Sequence, residues 1–127
     1  MKKSRLTDQS GFTLIELLTV SAIIASLAAI AIPQFGGYRK RGYEATLKAD
    51  LRNAAAAEEA YFAQNLVYKT GALSSGTLSS YNKSADISSM QATTGTNTFQ
   101  LTATHANCPG ITWTYSNATA IPTGPNC

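Results

Sequence analysis

The chain has 127 residues, 44% hydrophobic and 13% charged, with a formal net charge of +3 and a mean hydropathy of -0.07. That length admits one domain with an appended segment and excludes a large multi-domain enzyme. A charged fraction about half the roughly 25% of an ordinary globular protein excludes a disordered polyelectrolyte.

The charges are segregated along the chain. Lys2, Lys3 and Arg5 outweigh Asp8 in the first 11 residues, and Glu16 is the only charge in residues 12–37. Arg39, Lys40, Arg41, Lys48 and Arg52 then face only Glu44 and Asp50. Past residue 52, Lys69 and Lys83 stand against Glu58, Glu59 and Asp86. The last 75 residues therefore form no basic patch, and nucleic acid is not an expected partner of the lone chain.

From Leu17 to Tyr38 there is no charge for 22 residues, and Leu17–Ile32 reads LLTVSAIIASLAAIAI. About 20 apolar residues in a helix cross a bilayer core of about 30 Å. The basic residues 2–5 place the preceding end in the cytoplasm, while Arg39–Arg41 at the far end weaken that asymmetry. A secretory signal peptide and a plain membrane anchor are the bland alternatives. The apolar run is longer than a signal peptide's and ends in Pro33-Gln34-Phe35-Gly36-Gly37 rather than a small-residue cleavage site. Neither alternative accounts for Glu16, since a carboxylate inside a membrane is costly and usually has a partner and a job.

Gly11-Phe12-Thr13-Leu14-Ile15-Glu16-Leu17-Leu18, behind a short basic leader and opening the apolar run, resembles the processing site of class a type IV pilins. Type II secretion pseudopilins are the near relatives. The resemblance continues through Ala22-Ile23-Ile24, Leu27–Phe35 and the basic, aromatic stretch Tyr38–Tyr43, and covers roughly residues 1–52. It implies a prepilin peptidase cut after Gly11 and N-methylation of Phe12. It further implies that Glu16 meets the new N-terminal amine of Phe12 on a neighbouring subunit, both charges being tolerated in a buried bundle because they pair. Many relatives carry a glycine mid-segment. Here no glycine lies between Phe12 and Phe35, so a helix break is expected instead at Pro33, Gly36 and Gly37.

The sequence from Tyr43 to about Asn65 is alanine-rich, with Leu47, Leu51, Ala54, Ala55, Tyr61 and Phe62 recurring at helical spacing. That half of the helix is amphipathic and has a face to pack. Residues 66–97 are rich in serine, threonine and glycine and read as a surface connection, with a short strand near Ile87–Ala92. Thr98–Ala103 alternates with Phe99, Leu101 and Ala103 on one face. Ile111–Ser116 does the same with Ile111, Trp113 and Tyr115, across the turn residues Asn107-Cys108-Pro109-Gly110. The expected fold is α+β: a long N-terminal helix, apolar in its first half and amphipathic in its second, packed on a small antiparallel sheet. Its parts are a cleaved leader (1–11), a membrane and filament-core helix (12–37), an amphipathic helix (38–65) and a globular head (66–127).

Cys108 and Cys127 are the only cysteines. A disulfide between them suits an exported domain and matches the C-terminal disulfide loop of many class a pilins. Closing a loop of about 20 residues contributes about 3 kcal/mol in the chain-entropy model. His105, the sole histidine, is expected to cap or solvate the hairpin loop, and Glu58 and Glu59 point about 100° apart on a helix. No residue set argues for catalysis, a metal or a cofactor. The aromatics Phe35, Tyr38, Tyr43, Tyr61, Phe62 and Tyr68 read as packing and interfacial anchors, an electron path being the sharper alternative.

What the resemblance implies is a major pilin. It passes from an inner-membrane precursor, through prepilin peptidase and an inner-membrane assembly platform, to a helical homo-oligomeric filament outside the cell, serving adhesion, twitching motility or DNA uptake. A type II secretion pseudopilin and an electrically conductive pilin are the alternatives. The former often lacks the cysteine pair and carries an acidic calcium loop, whereas Asp86 stands alone here.

Overall fold

A computed structural model describes residues 11–127; all of the expected leader except Gly11 lies outside the described residues. One helix, α1 (Leu14–Asn65), is followed by strands β1 (Gly71–Ala72), β2 (Ile87–Gly95), β3 (Thr98–His105) and β4 (Thr112–Ser116). The chain divides into two compact units between Gly36 and Gly37.

In the first unit the apolar side chains of α1 are exposed. Leu14 is 77% exposed, Ile23 55% and Ile30 71%. The helix is long and apolar enough to cross a membrane, and none of its apolar window is buried within the chain. Its hydroxyls do not break that character, because Thr19, Ser21 and Ser26 donate back to the carbonyls of Ile15, Leu17 and Ile23. Pro33, Gly36 and Gly37 all lie inside α1, which continues through them.

In the second unit the amphipathic part of α1 buries Leu47, Leu51, Ala54, Ala55 and Ala57. All four strands are antiparallel and run in the order β1-β2-β3-β4. Alternation along β3 points Phe99, Leu101, Ala103 and His105 into the core while Gln100, Thr102 and Thr104 face away. Met90 and Ala92 of β2 and Trp113 of β4 complete that face.

Two features differ from the expectation. Strand β2 runs through to Gly95, and the two-residue β1 pairs with it, so the sheet extends beyond one hairpin. The connection after α1 is more than a surface loop, because Leu73, Leu78 and Tyr81 are all core residues. Asp50 fixes it. This side chain, 2% exposed, accepts the Ser84 backbone N–H at 3.0 Å, the Ser84 hydroxyl at 2.6 Å and the Tyr81 hydroxyl at 3.3 Å. Burial first, and the Asp50 charge second, push the Tyr81 phenol above its ordinary range.

The exit of α1 holds a further polar anomaly. Glu58 is fully buried; its Oε2 accepts the Lys69 backbone N–H at 2.9 Å, and its Oε1 has no partner among the described residues. Its neighbour Glu59 is exposed and accepts the Tyr68 hydroxyl instead. Burial, reinforced by Glu59 and opposed by the Lys69 amide and charge, raises the Glu58 carboxyl above its ordinary value. A folded state that holds its proton to higher pH gains stability below the ordinary carboxylate range and loses it as pH rises through the raised value. The head should therefore unfold at a lower temperature at pH 8 than at pH 5. Glu58→Gln, which keeps an acceptor for Lys69 and removes the charge, should flatten that slope in thermal melts across this range.

Immediately after α1, Leu66 takes φ +57°, where helices ordinarily place glycine; its N–H closes the last turn onto the Phe62 carbonyl at 2.8 Å. A leucine in that conformation costs about 1–2 kcal/mol.

Candidate assembly site

The first residues of α1 form a capping box, Thr13-Leu14-Ile15-Glu16. The Glu16 backbone N–H donates to Thr13 Oγ1 at 3.3 Å. In return Glu16 Oε2 accepts the Thr13 backbone N–H at 2.8 Å and its hydroxyl at 2.6 Å. Both of these contacts use Oε2, and Oε1 takes part in neither. The spacing S/T-x-x-E before an apolar run is legible in the sequence, and a reading that assigns Glu16 only an intermolecular partner misses it.

Phe12, 88% exposed, precedes this cap, and Phe12, Glu16, Leu17 and Val20 line one shallow groove. The carboxylate is the only charge on that surface. One of its oxygens is spent on the helix start, and the other has no hydrogen-bond partner among the described residues. An arrangement of this kind can receive a cation delivered by a partner that also covers the groove.

The second unit presents its own constructed region around the cysteines. Cys108 and Cys127 are bonded, with their Cα atoms 5.3 Å apart. The loop so closed is held at several further points. Cys127 donates its backbone N–H to Glu44 on α1 at 3.0 Å, and Thr114 and Thr123 exchange backbone hydrogen bonds. The Trp113 indole N–H donates to the Pro125 carbonyl at 3.1 Å, and the Lys48 ammonium sits 4.8 Å from the ring centroid. Gly124 lies so close to the indole that a Cβ there would fall 2.5–2.6 Å from ring atoms.

His105 is buried rather than solvated. Its Nδ1 accepts the Asn107 backbone N–H at 3.1 Å, and its ring packs 4.7 Å from that of Tyr43. It thus caps the turn as expected, while the alternation of β3 carries it into the interior. Of the aromatics read along the helix, Phe62 and Tyr68 stack at 4.4 Å and lead on to Phe99 at 4.8 Å and Tyr115 at 6.1 Å. Arg41 lies over Tyr38 and Arg39 over Tyr43, both at about 6 Å.

Residues 6–32 match the family described as the prokaryotic N-terminal methylation motif. The chain is 33% identical over 106 residues to the type IV wide pilus major component PilA4 of Thermus thermophilus, an alignment covering 84% of this chain and 79% of that protein. It is 34% identical over 104 residues to a fimbrial protein of Neisseria meningitidis, covering 80% of this chain and 60% of the relative. A shorter match, 42% over 65 residues, reaches the type IV major pilin protein PilA of Myxococcus xanthus and spans 30% of that protein's length.

Proposed function

Since the chain belongs to the type IV pilins and is a structural pilin subunit, we propose that it is the major subunit of a surface filament, assembled from copies packed through their N-terminal helices. The observation that carries this reading is the apolar stretch of α1, uncovered by its own chain and bearing a single carboxylate at its start. Such a surface has two stable environments, a bilayer before assembly and the same segment of other copies after it. The precursor sits in the inner membrane and the finished filament outside the cell.

Cleavage after Gly11 by a prepilin peptidase creates an amine on Phe12, which is then methylated. That ammonium on an incoming subunit is the cation for the open oxygen of Glu16. Pairing the two sets the axial register, because a carboxylate buried among apolar helices is tolerated only when neutralised. A break at Pro33, Gly36 and Gly37 belongs to the assembled form, where neighbours compensate a proline that leaves one carbonyl without its helical donor. The Cys108–Cys127 loop, the relatives' names and the isolated Asp86 support a pilus over a pseudopilus. Adhesion, twitching motility and DNA uptake are roles open to such a filament, with an inner-membrane platform and its ATPase supplying the work.

Deletion of the gene tests this reading by negative-stain microscopy of the cell surface. Filaments should vanish and return on complementation; filaments of unchanged number without the chain would overturn it.

A further inference from the structure

Arg39, Lys40 and Arg41 form a run of cations at the end of the apolar stretch where cations work against the precursor's orientation. Lys2, Lys3 and Arg5 mark the cytoplasmic end, and the positive-inside rule keeps lysine and arginine away from the opposite one. Three consecutive cations on the far side call for a partner that offsets them. Helix geometry sets their depth. The apolar part of α1 from Leu14 to Phe35 rises about 33 Å at about 1.5 Å per residue, against a bilayer core of about 30 Å. Tyr38 and the cations after it in the same helix therefore emerge among the lipid headgroups. Phe35 and Tyr38, 69% and 66% exposed, are aromatic residues of the kind that favours this depth.

The second unit gives the cations a shaped site. A shallow groove is lined by Gly37, Lys40, Arg41, Glu44, Asn126 and Cys127. Lys40, Arg41 and Asn126 are exposed, and Gly37 adds no side chain to fill the space between them. Glu44 is the one acidic side chain in the lining, and its Oε1 already accepts the Cys127 backbone N–H at 3.0 Å. The bond from Cys127 to Cys108 holds that edge of the groove to the sheet. Arg41 lies 6.0 Å from the Tyr38 ring centroid, so its guanidinium stays beside the helix surface. Charge and depth together select the occupant. We propose that Lys40 and Arg41, with the Asn126 amide as a further donor, bind the phosphate headgroup of an anionic phospholipid in the leaflet facing away from the cytoplasm. The inference rests on the membrane reading of the precursor. An anionic headgroup offsets the two cations, and a guanidinium can meet its phosphate through two hydrogen bonds. A zwitterionic headgroup brings an ammonium of its own and offsets nothing.

Competition between two lipids tests this. The full-length chain is held in detergent micelles doped with equal amounts of phosphatidylglycerol and phosphatidylcholine, and the lipid retained by each subunit is counted by native mass spectrometry. Lys40→Gln combined with Arg41→Gln should lower the ratio of anionic to zwitterionic lipid by about tenfold from the parent's. Both side chains are exposed, so the variant keeps its fold. Arg52→Gln combined with Lys69→Gln removes the same charge elsewhere on the second unit and should leave the ratio unchanged. The leader's cations are common to all three proteins and cancel in the comparison. A ratio unchanged in the first variant, or lowered equally in both, overturns the proposal. Inorganic phosphate added at the concentration of the lipid should not displace it; displacement would assign the groove to a free anion and overturn the lipid as its occupant. Recovery of the parent chain from the soluble fraction of cells, rather than from membranes, overturns the membrane reading itself.

Discussion

Replacing Glu16 by alanine should reduce surface filaments by at least tenfold while the precursor still accumulates in the membrane. Removing one partner of a buried ion pair costs about 3–5 kcal/mol, because the other charge is left uncompensated. In the proposed filament that charge is the Phe12 ammonium of the neighbour. The capping box complicates the experiment, since Glu16→Ala also strips the Thr13 N–H and hydroxyl of their acceptor. Thr13→Ala separates the two effects. It weakens the helix start by about 1 kcal/mol and leaves the carboxylate in place. Filaments should be nearly normal with Thr13→Ala and scarce with Glu16→Ala, counted by microscopy of sheared material. Normal abundance in the second variant would remove the intermolecular role assigned to Glu16.

The largest effect on the folded head should come from Asp50→Ala. That substitution leaves the Ser84 N–H, the Ser84 hydroxyl and the Tyr81 hydroxyl without their acceptor in a buried site. Hydrogen bonds to a charged group are worth about 1.5–3 kcal/mol each, and they are not additive within one network, so a loss of about 3–5 kcal/mol is expected. For a unit of this size that lowers the melting temperature by more than about 10 °C. The connection 66–86 should come free first, because Leu73, Leu78 and Tyr81 reach the core through the segment that Asp50 clamps. Limited proteolysis of the full chain in detergent reads this out as early cleavage between Lys69 and Lys83. A melting temperature within about 3 °C of the parent would show that burial of Leu73 and Leu78 suffices without the clamp.

The two halves of the chain were unequally legible. The apolar run and the Gly11–Glu16 motif stand out because each is a contiguous stretch of sequence. Strands β3 and β4 were legible because alternation survives in a half-buried sheet: Phe99, Leu101 and Ala103 face inward as their spacing requires. The burial of His105 continues the same period, although a histidine at a turn reads more readily as solvated. What the sequence hid are the long-range polar contacts. Asp50 looks like one more charge on a helix until Ser84, 34 residues on, is folded against it. Glu58 falls on the buried helical stripe of Leu51 and Ala54 and Glu59 beside it does not, but the Lys69 amide that receives the buried carboxylate, 11 residues on, is not visible from that spacing. Leu66 opens a stretch that reads as a surface connection, and its cost appears only with its positive φ. The partners of Asp50 and Glu58 lie outside the window that periodicity samples.

The same division holds for the assembly site. Glu16 was conspicuous as a lone charge in an apolar run, whereas the modest hydrogen bonds that shape its surroundings follow from Thr13 three residues before it. One oxygen is committed within the chain, and the remaining one is the feature on which filament register is proposed to depend.

The central claim, that the apolar helix survives processing and becomes the filament's core, is tested most directly at the mature N-terminus. Filaments sheared from cells would be dissolved, and their principal polypeptide identified by intact mass and N-terminal fragmentation. The account predicts a chain that begins at Phe12, carries one added methyl group and retains the Cys108–Cys127 disulfide. A principal polypeptide that begins beyond Gly37, or one that still carries the residues before Phe12, would contradict it.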